Sequence, residues 1–413
     1  MKKLFIFAAT ALLSVAPVFA NGSSETNSTI EVFSNKPESI STLQEMATAF
    51  ETSKNNEVKV TITNPADAET VLRARLTKND APDIIALGGN TTYAELATNG
   101  IFMDLDGTEA AGRVNPGYIK MLNKIAPAAN GVLGIPYASN AQGIIVNKTL
   151  FKENGIKIPT TWDELIDAAN KFEAKGIAPF EMTFLDSWTT LSIWNNLVPT
   201  LISPSFVADK KAGKTTFADT HKVVLDKFVQ LLELSANEDY MGTSYGDGCA
   251  AFGAGKAAML INGSWAIPEI RKTNADIDLD LIPFPTTDDA NQSVAISGID
   301  VTFQVAASSK NAELAKEFLA FITTTEEAQL YVDEQSAFSA ISGVKLKDPA
   351  VEAISDTISE GRVHDFPDHY YPAGFDLSSI LSGFCMNFKN GMNNDTNIQQ
   401  TLATADAQFD ALL

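Results

Sequence analysis

Between residues 29 and 87 the hydrophobic period switches repeatedly, and this alternation limits what the chain can fold into. Residues 29–33 read as a strand, and residues 39–50 as a helix with Ile40, Leu43, Met46, Ala47 and Phe50 on one face. A second strand at 58–62 and a helical pattern through 68–76 follow. Then comes APDIIAL (81–87), where Pro82 opens a short buried strand that ends at Gly88 and Gly89. Strand and helix in turn argue for an α/β lobe with a mainly parallel sheet, whose ligands collect at the carboxyl ends of the strands.

Further along, GIPYASNAQGIIVNKTLF (134–151) reads as two extended pieces joined through Tyr137, Ala138, Ser139 and Asn140, small and polar where a chain would pass between lobes. A well-marked helix comes next. Thr161 is its N-cap and Glu164 completes a capping box. Trp162, Leu165, Ile166, Ala169 and Phe172 form the apolar stripe, and Gly176 stops it. Helical spacing also covers residues 219–234 and 311–323, the latter behind a strand at 301–306.

The first twenty residues carry the marks of a secretory leader: Lys2 and Lys3, an uncharged apolar run over 4–18, and a small-residue cleavage site at 18–20. The run is shorter than the ~20 residues a bilayer span requires. The expected mature start near Asn21 offers no cysteine for a lipid anchor, which points to a freely diffusing protein of the periplasm. Losing two lysines takes the net charge from −21 to about −23. Nucleic acid is a poor partner for such a chain, because its 30 basic residues are scattered and only five are arginine. About 390 mature residues make two core-bearing lobes the natural expectation. Cys249 and Cys385 could form one bridge in an oxidising compartment or remain two buried thiols. His221, His364 and His369 show no close ligand spacing, so neither a metal nor another cofactor is expected.

Two motifs suggest catalysis and then fail on context. GTSYG (242–246) matches a nucleophile elbow with Ser244 at its centre, but polar, turn-like sequence precedes it where a buried strand is needed. FGAGKAAM (252–259) mimics a dinucleotide loop, yet its apolar run follows the glycines instead of preceding them. The aromatic residues near turns say more. A pyranose has a C–H face and a rim of hydroxyls, so its site combines an aromatic plane with Asp, Asn or Glu. Trp162 and Trp194 read as core. Trp188 follows a strand and a polar turn, and Trp265 stands just past the Asn262-Gly263-Ser264 corner, so these two are candidates for ligand contact.

Four segments taken in order, APDIIAL (81–87), GIPYASNAQGIIVNKTLFKENGIKIPTTWDEL (134–165), FGAGKAAMLINGSW (252–265) and SSKNAELAKEFLAFITTTEEAQLY (308–331), resemble the extracellular solute-binding proteins of sugar importers, the maltose-binding-protein type. The resemblance implies a two-lobed periplasmic-binding-protein-like fold of type II, each lobe a mainly parallel sheet flanked by helices, with three crossing segments. The lobes would comprise 21–138 with 292–340, and 139–291 with 341–413. By similarity Trp265 stacks on a sugar ring, and Asn140, Asn90 and Asp300 make polar contacts. Lys36 and Glu38 bind hydroxyls, Tyr137 is a hinge aromatic, and Tyr371 and Phe375 offer another stacking surface. The implied partners are a carbohydrate ligand and the permease subunits of an ABC transporter in the inner membrane, served by a monomer. Two rival expectations remain open: a receptor for a cation such as a polyamine, and a secreted serine hydrolase built on Ser244.

Overall fold

The computed structural model describes residues 28–234, 239–360 and 362–413; the leader read from the sequence lies outside them. Among the described residues, eleven strands form two sheets. They are β1 (Ser28–Ser34), β2 (Val58–Thr63), β3 (Ile84–Leu87), β4 (Ile135–Gln142), β5 (Ile144–Asn147), β6 (Ala178–Glu181), β7 (Ala257–Leu260), β8 (Leu279–Ile282), β9 (Ala295–Val305), β10 (Phe338–Ser339) and β11 (Val363–His364). The first sheet runs β10-β4-β9-β3-β1-β2, with β11 beside β9; the second runs β6-β7-β5-β8.

The expected alternation is present at the start: β1, helix α1 (Ile40–Ser53), β2, helix α2 (Ala68–Thr77) and β3. Period two along β1 sends Ile30 and Val32 into one core, with Phe50, Tyr137, Phe303 and Phe318. Phe33 goes to the opposite face, with Leu72, Tyr93, Phe102 and Ile299. The second sheet is likewise covered on both faces. Trp162, Phe172, Trp194, Phe228 and Phe384 lie in one core, and Phe252, Ile267, Leu281 and Ile354 in the other.

Three expectations need correction. The sheets are mixed and not mainly parallel: β1 is parallel to β2 and β3, but β9 is antiparallel to both β3 and β4, and β5 is antiparallel to β7 and β8. The cause is the return of the chain, because β9 comes back from the second sheet and inserts between two strands that run the other way. That same strand begins at Ala295, six residues ahead of the expected start, since Ser297 and Gly298 pair with Ala141 and Asn140 instead of turning. Finally, the helix expected over 219–234 is two pieces, Phe217–Thr220 and Lys222–Glu233, meeting at a buried His221.

Gly143 alone separates β4 in one sheet from β5 in the other. A Cβ there would lie 2.1 Å from the Ile282 carbonyl oxygen, so only glycine lets the crossing chain lie this close to its neighbour. Cys249 and Cys385 are both free, buried thiols. Among the described residues no helix is long and apolar enough to cross a membrane.

Candidate functional site

The carboxyl ends of β1, β3 and β4 and the start of β9 open onto a cavity of about 620 Å³, within the range of small-ligand sites. Its far wall comes from the second half of the fold: the loop before the helix Thr190–Leu201, the start of the helix Tyr245–Gly253, the turn before the helix Ala266–Thr273, and the loop after β11.

Trp265 is placed by local chemistry. The turn that precedes it is tied to the crossing chain: the Ser264 amide donates to the Ala141 carbonyl (2.8 Å) and the Gly143 amide to the Asn262 carbonyl (3.2 Å). Gly263 then gives the indole its space, because a Cβ at that position would come within 2.1 Å of the ring. The indole remains partly exposed, lines the cavity, and has a buried Nε1 with no hydrogen-bond partner. Phe366 lies beside it, ring centroids 6.5 Å apart, and stacks in turn on His369 at 5.0 Å. Gly298 admits Phe366, since a Cβ there would sit 2.9 Å from that ring.

A second aromatic pair stands along the same wall. Trp188, 40% exposed, meets Tyr245 edge-on at 5.1 Å. Asp186 fixes the pair by accepting the Tyr245 amide at 2.6 Å, and the Tyr245 hydroxyl donates to the Trp265 carbonyl at 3.3 Å. Burial raises the Tyr245 phenol well above its ordinary pKa, so it stays a neutral donor.

The opposite wall is polar. Lys36 Nζ donates to Asp300 Oδ1 at 2.6 Å, and Asn140 Nδ2 donates to the same oxygen at 3.0 Å. Burial works to depress the Lys36 ammonium, but Asp300 and Glu38 outweigh it and the pKa rises. Glu38 is pushed up by burial, with Lys36 opposing and Asp300 adding to the rise. Asn90 caps helix α3 (Thr91–Thr98), its Oδ1 accepting from the Tyr93 amide at 3.2 Å, which leaves the Nδ2 end free for the cavity it lines. Besides Trp265 Nε1, four buried oxygens on lining residues have no hydrogen-bond partner: Oδ1 of Asn35, Asn140, Asn195 and Asp368. Buried polar atoms of this kind are costly unless something else completes their hydrogen bonds.

Of the ten residues singled out from the sequence, Lys36, Glu38, Asn90, Asn140, Trp188, Trp265 and Asp300 line this cavity. Tyr137 does not. It is three residues from Asn140 on one strand and faces the other way, into the core, where its hydroxyl donates to the Ile322 carbonyl at 2.8 Å. Tyr371 is buried against Trp194, whose Nε1 donates to its hydroxyl at 3.2 Å, and Phe375 stacks on Phe217. Both border a separate hollow of about 260 Å³ beside the main cavity. Sequence reasoning missed Tyr245, Phe366, Asp368, His369 and Asn195. It looked for an aromatic in residues 369–375, whereas the ring that reaches the cavity is Phe366, just ahead of Pro367 in the same polar loop.

Ser244 also borders the cavity, but its Oγ caps a helix, accepting the Asp247 amide at 3.1 Å and donating to the Asp247 carboxylate at 2.6 Å. The residues before it form a turn, not the strand of a nucleophile elbow. Among the described residues there is no cluster of three or more His, Cys, Asp or Glu suited to a metal.

Two sheets, each covered on both faces, with a cleft at strand ends are features of type II binding proteins, and comparison with known structures agrees. SBP RafE in complex with raffinose superposes with a TM-score of 0.79 at 25% identity, over 93% of this chain and 99% of that one. The apo form of RafE from Streptococcus pneumoniae gives 0.71, also at 25% identity, over 93% and 98%. Among sequence relatives, the multiple sugar-binding protein of Streptococcus mutans is 28% identical over 358 residues, 83% of this chain and 84% of the relative. The melibiose/raffinose/stachyose-binding protein MelE of Bacillus subtilis is 23% identical over 313 residues, 74% and 72%. The family model described as bacterial extracellular solute-binding protein matches residues 34–329, and the chain belongs to that family.

Proposed function

We propose that the protein is the periplasmic substrate-binding component of an ABC importer, that it captures a sugar or oligosaccharide by lobe closure, and that it presents the loaded form to the membrane permease. The observation that carries this reading is the indole of Trp265, seated on Gly263 and facing a polar wall, together with unpartnered buried oxygens on both sides of the cavity: those of Asn35 and Asn140 on the polar wall and those of Asn195 and Asp368 on the aromatic one. An indole plane suits the C–H face of a pyranose, and the open acceptors and donors suit its hydroxyls. The names of the relatives, for multiple sugars and for raffinose, support the same class.

The division we propose is 21–138 with 292–340 against 139–291 with 341–413, with one adjustment: β4 pairs within the first sheet as far as Gln142, which supports setting the first exchange at Gly143 instead of after residue 138. A ligand that touches both walls favours the closed state only through contacts completed there, and that differential affinity shifts the population. The protein acts as an exported monomer, and it breaks no bonds. The commitment of Ser244 to capping speaks against a hydrolase. A cationic ligand is disfavoured by Lys36, which already brings an ammonium to Asp300 inside the cavity.

The test is a thermal-shift screen of the mature protein against mono- and oligosaccharides and polyamines, since a ligand specific for the folded form raises its melting temperature. A saccharide shift that is lost in Trp265→Ala, with the unliganded melting point nearly unchanged, is the expected result. A shift with spermidine that fades as salt rises would replace the sugar by a cation.

A further inference from the structure

The helix Thr190–Leu201 carries a polar stripe inside the protein. The stripe bears on how the two halves are held, an inference that rests on the two-lobed receptor reading. Ser192, Asn195 and Asn196 stand at helical spacing on one face, and each is between 1% and 3% exposed. The opposite face is ordinary, with Ile193, Trp194, Leu197 and Val198 in one hydrophobic core. Burying polar side chains is costly unless hydrogen bonds compensate, so what this stripe bonds to says why it is polar.

It bonds to the chain that crosses between the sheets. Asn196 Nδ2 donates to the Gly143 carbonyl at 3.1 Å and to the Ser192 carbonyl at 2.9 Å, and Gln142 Nε2 donates to that same Ser192 carbonyl at 3.0 Å. The Gly143 amide is taken by the Asn262 carbonyl at 3.2 Å. Both main-chain polar groups of the single residue between β4 and β5 are thereby held by the second half of the fold. The returning chain is tied to the same place. Thr286, buried between β8 and β9, donates its hydroxyl to the Asn196 main-chain carbonyl at 3.1 Å, closer than the Phe284 carbonyl at 3.4 Å. One residue thus meets the outgoing segment with its side chain and the returning segment with its main chain. Leu191, Ser192 and Asn195 of the same helix line the cavity, beside Gln142.

We propose that Asn196 is a positioning residue of the pivot: it clamps both crossing segments to the helix that walls the cavity, and so fixes the angle at which the aromatic wall meets the polar one. Gln142 assists from the outgoing strand. The clamp acts through the orientation of the halves and through its neighbour Asn195, not by touching the sugar. Without it the Gly143 carbonyl loses its partner, and the crossing chain turns more freely about its one residue of slack.

Two variants test this. Asn196→Leu removes the clamp at similar volume. Thr286→Val releases the returning segment alone and keeps the shape of the side chain, which covers a failure of the first variant to fold. Spin labels on Thr70→Cys and Asn390→Cys, exposed positions in the two halves, give the distance distribution of the unliganded protein; the native Cys249 and Cys385 are buried. Calorimetric titration with melibiose, raffinose and maltotriose gives the affinity, measured well below each melting temperature. Both variants are expected to widen the distance distribution and to weaken saccharide binding, by about fivefold or more in Asn196→Leu. A distribution of parental width in both variants would overturn the clamp, even where the melting temperature falls. A widened distribution with parental affinity would overturn its role in positioning the site. Absence of saccharide binding by the parent counts against the sugar reading alone, and the distance distributions then still decide whether Asn196 sets the angle.

Discussion

Gly263 decides where the indole of Trp265 can lie, since its missing side chain is the space the ring occupies. Gly263→Ala should swing the ring off its seat, cutting saccharide affinity by about tenfold or more, as loss of a stacked contact does. The unliganded melting temperature should barely change, because the displaced ring is only partly buried. His221 sets a different residue-level property. It stacks on Trp194 at 5.1 Å, with Phe206 and Phe217 against it, and burial lowers its pKa to about 3. In the unfolded chain the same imidazole titrates near its ordinary value of about 6.5. The unfolded state therefore binds more protons below that pH. The stability is fully present above about 6.5 and declines as pH falls toward 3, by about 1.4 kcal/mol per pH unit within the window. Melting temperature measured from pH 7 to 4.5 should fall less steeply in His221→Phe than in the parent. At this scale the sequence was readable wherever a local signal fixed the direction of a side chain, as the Gly-Ser corner does for Trp265. It was unreadable at Tyr137, whose facing depends on a strand with register shifts, and at Phe366, whose seat on Gly298 lies 68 residues away in the chain.

Among the elements, β4 and β9 carry the most consequence. They pair from Ile135 to Gln142, bring Asn140 and Asp300 to the cavity, and lead to the second sheet at Gly143 and before Ala295. Gly143→Ala would drive a methyl against the Ile282 carbonyl, a backbone atom that cannot step aside. Overpacking of this sort costs about 1–3 kcal/mol, and a calorimetric melt should show a loss of several degrees. Ligand affinity should fall too, since the altered crossing chain holds both Asn140 and the Trp265 turn. The first five elements were legible to within a few residues because each buries a face whose period is written locally. Strand direction in the sheets was not legible, because it depends on which distant segment lies alongside, and nothing within β9 announces that it will enter between β3 and β4.

For the molecule as a whole, two mixed sheets with a polar wall facing an aromatic one define a clamp. Solution scattering should register a smaller radius of gyration when a bound saccharide is added, and no change in Trp265→Ala at the same concentration. The affinity behind that compaction should vary little between low and high salt, because the ligand is neutral and the Lys36–Asp300 pair is internal to the cavity wall. The α/β class followed from alternation and the type II fold from the resemblance to solute-binding proteins, whereas the hollow beside the cavity arises only where Glu69 and Thr92 meet residues some three hundred positions further on.

One property of the joint reaches into specificity. Side by side, β4 and β9 form a hydrogen-bonded ribbon, and between β4 and β5 there is a single residue of slack. Such a ribbon behaves as a leaf flexure: compliant when bent across its face, stiff to shear within its plane. Lobe motion about such a ribbon should be close to single-axis, so that each closure brings Trp265 back to the same place against Asn140 and Asp300, which the paired strands hold together. A sugar differing at one carbon should then meet a mismatch that sideways slip does little to relieve, and discrimination between epimers would owe something to the mechanics of the pivot as well as to the chemistry of the lining.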